Sequence, residues 1–113
     1  MGECEPRNFL RPCLLLLLQE RPAHGYDLVE RLHTSLIDDT DAGVVYRTLR
    51  SFEREGLVSS SWCLSESGPA RRTYALTADG KEALRHQVET LEATHHLVHA
   101  FLERCGSLPA RSR

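Results

Sequence analysis

The most constraining feature of the sequence is a helical pattern with two chemically different faces, over Asp41–Glu55. Val45, Leu49 and Phe52 recur at i, i+4 and i+7, which is the spacing of one buried stripe on an α-helix. Gly56 follows as a C′ glycine that ends the helix. We therefore predict a helix that an apolar face anchors to a core. At about 100° per residue, the residues on the opposite face are Gly43, Arg47, Arg50 and Arg54.

Two further helices are predicted before this one. The first, Asn8–Glu20, holds Pro12 in its first turn, where a missing amide costs little, and it ends before Pro22. The run Leu14–Leu18 is apolar on every side of this helix. We expect near-complete enclosure, with help from a second subunit because the chain has only 113 residues. The second helix is His24–Ser35, and its apolar stripe is Leu28, Val29, Leu32 and Leu36.

A β-hairpin is predicted after the third helix. Leu57–Leu64 has the composition of a strand, Ser65–Ala70 has the composition of a turn, and Arg71–Leu76 resumes as an alternating strand. We expect the tip of this hairpin to carry two arginines, Arg71 and Arg72.

The last predicted helix begins at an N-cap, Thr77, and runs to about Arg104. Six of its positions alternate four and three apart, which is the a/d spacing of a coiled-coil seam. We predict that this seam is a dimer interface. Its residues are Leu84, Val88, Leu91, His95, Val98 and Leu102.

The predicted fold class is therefore mainly α with a small β-hairpin, a winged helix-turn-helix plus a long C-terminal dimerisation helix. The winged helix-turn-helix, with its N-terminal helix, takes residues 1–77. The dimerisation helix takes residues 78–105, and residues 106–113 form a disordered tail by composition.

This organisation predicts binding to double-stranded DNA. A helix fits the major groove, where arginine donates to guanine O6 and N7, and a basic wing reaches the phosphates beside it. A net charge of −2 does not favour DNA, so the local arginines carry the prediction. Glu53 and Glu55 leave open a merely solvated helix face, which we disfavour beside a basic hairpin. The predicted DNA-binding residues are Tyr26, Thr40, Asp41, Gly43, Tyr46, Arg47, Arg50, Arg54, Arg71 and Arg72.

Tyr26 and Tyr46 each have two interpretations. Either hydroxyl can contact a phosphate, and either ring can pack half-buried in the helix-turn-helix. Both roles are compatible in one tyrosine, because the ring is apolar and its tip is polar.

Composition excludes several other classes. The longest apolar run, Cys13–Leu18, is far shorter than the roughly 20 residues that span a bilayer, and Glu3 and Glu5 precede it in place of a basic signal-peptide flank. We expect a cytoplasmic protein without membrane association, with its cysteines reduced. Nucleophile-elbow, phosphate-loop and HExxH motifs are absent, so we expect no enzyme and no cofactor.

Two pairs of residues are candidates for metal or redox sensing. His95 and His99 are one helical turn apart, a spacing that can chelate a metal. Cys13 and Cys105 lie on the two helices of the predicted dimer arm. We favour the plainer interpretation, in which His95 interrupts the seam and the cysteines are small buried hydrophobes.

Several segments together resemble the PadR family of bacterial transcription regulators: His24–Leu28, Val45–Leu49, Glu53–Val58 and Gly68–Gly80. The resemblance covers about Asn8–Arg104. It implies a winged-helix repressor that is dimeric through its first and last helices and is often released from DNA by a small molecule. We accordingly predict a ligand-responsive repressor that binds a palindromic operator as a homodimer.

Arg7–Leu10 with Pro12 is most similar to a subgroup described as polyhydroxybutyrate-responsive repressors, although no residue here indicates a polymer or acyl site. Two positions depart from the family. Arg47 follows the recognition-helix tyrosine where many members have proline. The last helix lacks the tryptophan with which some members stack flat aromatic drugs, and the single Trp62 is expected to pack within the hairpin.

Two alternatives to a ligand-responsive repressor remain at the level of sequence. One is a winged-helix module that binds protein, which the acidic net charge favours. The other is a regulator that senses metal or redox state through Cys and His.

Overall fold

Four helices and a small antiparallel sheet make up the part of the chain that the computed structural model describes, residues 8–37, 40–65 and 68–106. The predicted fold class is confirmed, and the sheet has the order β1-β3-β2. Arg7, Cys4 and residues 107–113 of the predicted tail lie outside the described residues. In chain order the elements are α1 (Leu10–Glu20), β1 (Ala23–His24), α2 (Gly25–Ser35), α3 (Ala42–Arg54), β2 (Val58–Ser65), β3 (Gly68–Leu76) and α4 (Ala78–Gly106).

The predicted buried face of α3 is confirmed, since Val45, Leu49 and Phe52 are wholly inaccessible to solvent. They join one apolar core with α1, α2 and the inner face of the sheet. The apolar run of α1 is enclosed as expected except at Leu16, which is 39% exposed. Because the core holds α3 by one face only, its opposite face is left to solvent.

The predicted stripe of α2 is wrong at its last position. Leu36 is 41% exposed, whereas Ile37 is 4% exposed and joins the core. The helix has already ended there, with Leu36 at φ −135° and ψ −64°, so the helical period no longer decides which side chain turns inward.

Two capping predictions are confirmed. Gly56 follows α3 at φ +81°, in the left-handed region that glycine enters without steric cost. Thr77 precedes α4, and its Oγ1 accepts a hydrogen bond from the amide of Gly80 at 3.1 Å. These two caps set the entry and exit of the hairpin.

The hairpin is longer than predicted. β3 begins at Gly68, so residues 68–70, which we assigned to a turn, belong to the strand. Arg71 pairs with Cys63 and Arg72 with Trp62, so the expectation that these arginines sit at the tip is wrong. Adjacent strand residues point to opposite faces of a sheet, which sends the two guanidinium groups to different sides of the wing.

One of the three strands, β1, was not predicted. Ala23 and His24 pair with Tyr74 and Thr73 of β3. A two-residue strand is too short to show a periodicity, yet it ties the start of α2 to the wing. No helix in the described part of the chain combines the length and the apolar character that crossing a membrane requires.

An ion pair ties α1 to the end of α3, and it predicts a small dependence of stability on pH. Nη2 of Arg11 donates to Oε1 of Glu55 at 2.8 Å, and this contact lowers the pKa of Glu55. A lowered pKa in the folded state adds stability at neutral pH that is lost as pH falls through the carboxyl's range. Since both side chains are more than a third exposed, the gain is about 0.5 kcal/mol.

We therefore expect Glu55→Gln to lower the free energy of unfolding slightly at neutral pH and by less at an acid pH, because the wild-type carboxyl takes up a proton as the pH falls through its lowered pKa. Urea denaturation at both pH values measures this difference. Glu92→Gln, at an exposed position of α4, is the control. A deficit for Glu55→Gln that is equally large in acid would contradict the assignment.

Candidate nucleic-acid interface

The outward face of α3 carries a row of three arginines, Arg47, Arg50 and Arg54, and all three are exposed. None makes a hydrogen bond or an ion pair with another described residue. Because the other side of the helix is fully buried, the row is held on a fixed scaffold. Three unpaired cations on one helix are a surface suited to an anionic partner.

The first turn of α3 leaves room for this row. Asp41 occupies the N-cap position without a side-chain capping bond, so its carboxylate is exposed rather than tied to the backbone. Gly43 stands one turn before Arg47, and a Cβ there would lie 3.6 Å from Nη1 of Arg47. The carbonyl of Thr40 is bound to Nε2 of His33 at 2.7 Å, which links the loop before α3 to α2.

Arg72 joins the wing to α3. Its Nε donates to Oγ of Ser60 at 2.9 Å, and Oγ of Ser60 donates to Oε2 of Glu53 at 2.7 Å. The Arg72 guanidinium also lies 3.6 Å from that carboxylate. Arg72 is therefore largely neutralised and sets the position of the wing beside the arginine row.

Trp62 does not pack as expected. It is 65% exposed, and its ring faces Arg72, whose Cζ lies 5.5 Å from the ring centroid. The indole is therefore largely exposed to solvent, with a cation over its face.

Arg71 lies on the other side of the wing and approaches α2. Its Nη1 is 3.1 Å from Nε2 of His24. His24 is the N-cap residue of α2, and its Nδ1 accepts a hydrogen bond from the amide of Asp27 at 3.2 Å. The His24 side chain was not among the predicted DNA-binding residues.

The two tyrosines have different environments. Tyr26 is exposed, and a hydrogen bond with the Glu30 carboxylate raises the pKa of its hydroxyl. The Tyr46 ring packs directly on Gly25, where any Cβ would overlap ring atoms Cε1 and Cζ. Tyr46 is therefore a packing residue at the junction of α2 and α3, whereas Tyr26 presents its tip to solvent.

These groups surround one cleft between the wing, the start of α2 and α3, with a volume of about 350 Å³. Burial raises the pKa of Tyr74, which forms part of its wall. The cleft brings together four of the predicted DNA-binding residues with four that were not predicted. Its lining is His24, Gly25, Tyr26, Tyr46, Trp62, Arg71, Arg72 and Tyr74.

The predicted seam of α4 is only partly covered. Leu84 packs against the core, whereas Val88, Val98 and Leu102 are exposed large apolar side chains. Beside the seam, α1 and α4 form an apolar groove of about 200 Å³. The groove is lined by Phe9, Pro12, Cys13, Leu16, Leu36, Leu84, Val88 and Leu91.

The metal candidates are not brought together. The rings of His95 and His99 lie 6.5 Å apart, but the described residues contain no group of three His, Cys, Asp or Glu that could hold a metal ion. Cys13 lines the groove beside Leu91, and Cys105 lies fourteen residues farther along α4, about 21 Å at the helical rise. A link between these cysteines within one chain is too long.

The fold and the exposed basic face define a winged-helix protein with a surface suited to nucleic acid. Residues 14–86 match the Transcriptional regulator PadR-like family, and the chain belongs to that family. As a member of a family of transcription regulators it is not an enzyme, as expected from the sequence.

Solved structures agree with this assignment. A conserved protein of unknown function, described as a potential transcriptional factor, is 33% identical with a TM-score of 0.77, covering 90% of this chain and 95% of its own. A PadR-like transcription factor from Bacteroides fragilis is 27% identical with a TM-score of 0.70, covering 81% and 88%. Bacillus subtilis PadR in complex with operator DNA is 21% identical, covers 70% and 46%, and shares the fold with a TM-score of 0.63. No curated protein matches the chain.

Proposed function

We propose that this regulator binds duplex DNA as a homodimer, with α3 of each protomer in the major groove. The observation that carries the proposal is the row of Arg47, Arg50 and Arg54, which is exposed, makes no ion pair with another described residue, and lies opposite a wholly buried helix face. Major-groove edges of guanine offer two acceptors to one guanidinium, and a rigidly anchored helix holds its donors in register with them.

The remaining predicted contacts fall around this helix. Asp41 and Gly43 lie at the N-terminal end of α3. There the Asp41 carboxylate would accept a hydrogen bond from cytosine N4, and Gly43 would permit the DNA to approach the helix closely. Tyr26 and Arg71 line the cleft beside the helix and suit phosphates. Arg72 reaches a phosphate only in competition with Glu53, so we assign it mainly to positioning the wing. The full proposed set includes Thr40, Tyr46, Arg47, Arg50 and Arg54.

The dimer is proposed from exposed apolar surface. Val88, Val98 and Leu102 continue the seam along α4, and Leu16 opens onto the adjoining groove. A contiguous apolar strip of this kind is unfavourable in water, and a second copy of the same strip covers it. Two copies would present two arginine rows, which fits an operator with two-fold symmetry.

This dimer predicts different effects of two matched substitutions on α4. Leu102→Glu places a charge in the seam and is expected to dissociate the dimer. Leu97→Glu lies five positions away, about 140° around the helix, and is expected to leave it intact. Leu102 and Leu97 are 52% and 73% exposed in one chain, so neither change disturbs the fold of the protomer. Sedimentation equilibrium distinguishes the two, and equal dissociation by both would contradict the seam.

The regulatory role follows from the family only as a proposal. We infer a cytoplasmic repressor that binds a palindromic operator and is released by a small-molecule effector. The polyhydroxybutyrate-responsive subgroup stays a prediction from the first helix alone.

Selection from randomised duplexes tests the proposal without knowledge of the operator. Repeated binding and amplification is expected to enrich an inverted repeat whose half-sites lie about one helical turn, 10 base pairs, apart. Enrichment of no sequence by a folded wild-type protein at low salt would contradict it.

A winged-helix module that binds another protein is the second candidate, and the net charge of −2 is the observation that favours it. Such a module has no need of three unpaired arginines on one helix. It predicts no enrichment in the same selection experiment.

A further inference from the structure

In the cleft, the ring of His24 faces two hydrogen-bond donors, the amide of Asp27 and the guanidinium of Arg71, and it can accept from only one of them. Nδ1 of His24 accepts from the amide of Asp27 at 3.2 Å, while Nη1 of Arg71 lies 3.1 Å from Nε2 of the same ring. A neutral imidazole has one acceptor nitrogen and one N–H, and a guanidinium can only donate. Both hydrogen bonds therefore cannot form at once, and a protonated ring accepts neither.

An anionic oxygen that lies beside the two nitrogens, within hydrogen-bond distance of both, removes this conflict. With Nδ1 retained as the acceptor for the Asp27 amide, Nε2 carries a proton and points it toward the Arg71 guanidinium. An acceptor placed there receives one hydrogen bond from each side chain, and bonds from a cation to an oxyanion are among the strong ones. The pair is thus organised for a ligand that only accepts.

The position of the pair indicates which anion this is. The cleft is lined by Tyr46, which directly precedes Arg47 of the arginine row, and by the exposed Tyr26. Arg71 makes no ion pair with another described residue, whereas its neighbour Arg72 is bound to Glu53 and Ser60. A duplex lying against the arginine row passes its sugar–phosphate backbone beside this cleft.

We propose that His24 and Arg71 form a clamp for one backbone phosphate of the bound duplex. This inference rests on the proposed function and adds to it a side chain, His24, whose other role is to cap α2. Phosphate contacts of this kind fix the register of a protein on DNA without reading its sequence.

The test uses the full chain and the duplex obtained by selection. His24→Ser keeps a hydroxyl that caps α2 but is too short to reach the clamp, and thermal unfolding verifies that the variant is folded. His24→Ser and Arg71→Ala are each expected to weaken binding about tenfold on selected and scrambled duplexes alike. The double variant is expected to bind no more weakly than Arg71→Ala alone, because both residues hold the same phosphate. Arg54→Ala, in the arginine row and not in the lining of this cleft, is the control and is expected to combine with His24→Ser additively.

A methylphosphonate scan identifies the ligand directly. Neutralising one phosphate of each half-site is expected to cost wild-type affinity and to cost His24→Ser nothing further. If the wild type binds the duplex and no phosphate shows this dependence, or if the two substitutions combine additively, the clamp is wrong while the proposed function stands. Competition by inorganic phosphate at constant ionic strength that depends on His24, without a phosphate position in the duplex that does, would likewise overturn it. A folded wild type that binds no duplex would contradict both.

Discussion

Replacing Gly80 with alanine is expected to lower the free energy of unfolding by about 3 kcal/mol. A Cβ at this position would overlap the backbone carbonyl of Leu57 and lie 2.7 Å from Cδ2 of Leu76. The carbonyl cannot move aside cheaply, because it accepts a hydrogen bond from the amide of Thr77 at 3.0 Å. Relief of the overlap therefore requires α4 to separate from the base of the wing.

Gly43→Ala is the matched control for this prediction. Its Cβ would approach only the ends of two flexible side chains, at 3.2 Å from Oδ2 of Asp41 and 3.6 Å from Nη1 of Arg47. Alanine also favours a helix over glycine by about 1 kcal/mol. Urea denaturation is expected to show neutral or improved stability for Gly43→Ala and a large loss for Gly80→Ala. Equal stability of the two variants would mean that the contact between α4 and Leu57 is not tight.

Arg50→Ala is expected to weaken binding to the selected operator by about 5- to 150-fold, corresponding to about 1–3 kcal/mol for a guanidinium that reads a base. Arg50 is the middle residue of the row along α3, so the proposed docking of α3 would place it in the groove between Arg47 and Arg54. Its loss should also abolish discrimination at one base pair of each half-site. Fluorescence anisotropy on the operator and on single-base variants of it measures both effects.

Arg85→Ala provides the control for charge. Arg85 is an exposed arginine of α4 that is held by Glu82 and Glu89, so its removal should leave affinity and discrimination unchanged. If Arg50→Ala instead reduced binding equally on every sequence, Arg50 would be a phosphate contact and the assignment of base reading would fail.

The elements whose structure depends on residues close to them in the sequence were predictable. The two faces of α3 follow from a helical period, and the caps at Gly56 and Thr77 follow from residues that prefer those positions. Both features depend on neighbours within about one turn. They were sufficient for the fold class and for the arginine row, which is the centre of the proposed site.

Features that depend on contacts between distant segments were not predictable. Leu36 is exposed and Ile37 is buried in its place, because α2 ends at Ser35 and the helical period no longer applies beyond it. β1 exists only because β3 returns to pair with it, and the same return brings Arg71 to His24 across 47 positions of sequence. The partnership of Arg72 with Glu53 likewise depends on the twist of the wing over α3.

The most direct test of the account compares the wild type with a variant in which Arg47, Arg50 and Arg54 are all alanine, on the selected operator, between about 50 and 200 mM salt. The wild type is expected to bind specifically, with an affinity that falls steeply as salt rises, because binding releases counterions and their release is less favourable in concentrated salt. The folded triple variant should retain at most weak binding that does not distinguish the operator from a scrambled duplex. Operator binding by the triple variant as tight as that of the wild type, or none by a folded wild-type dimer at 50 mM salt, would contradict the account.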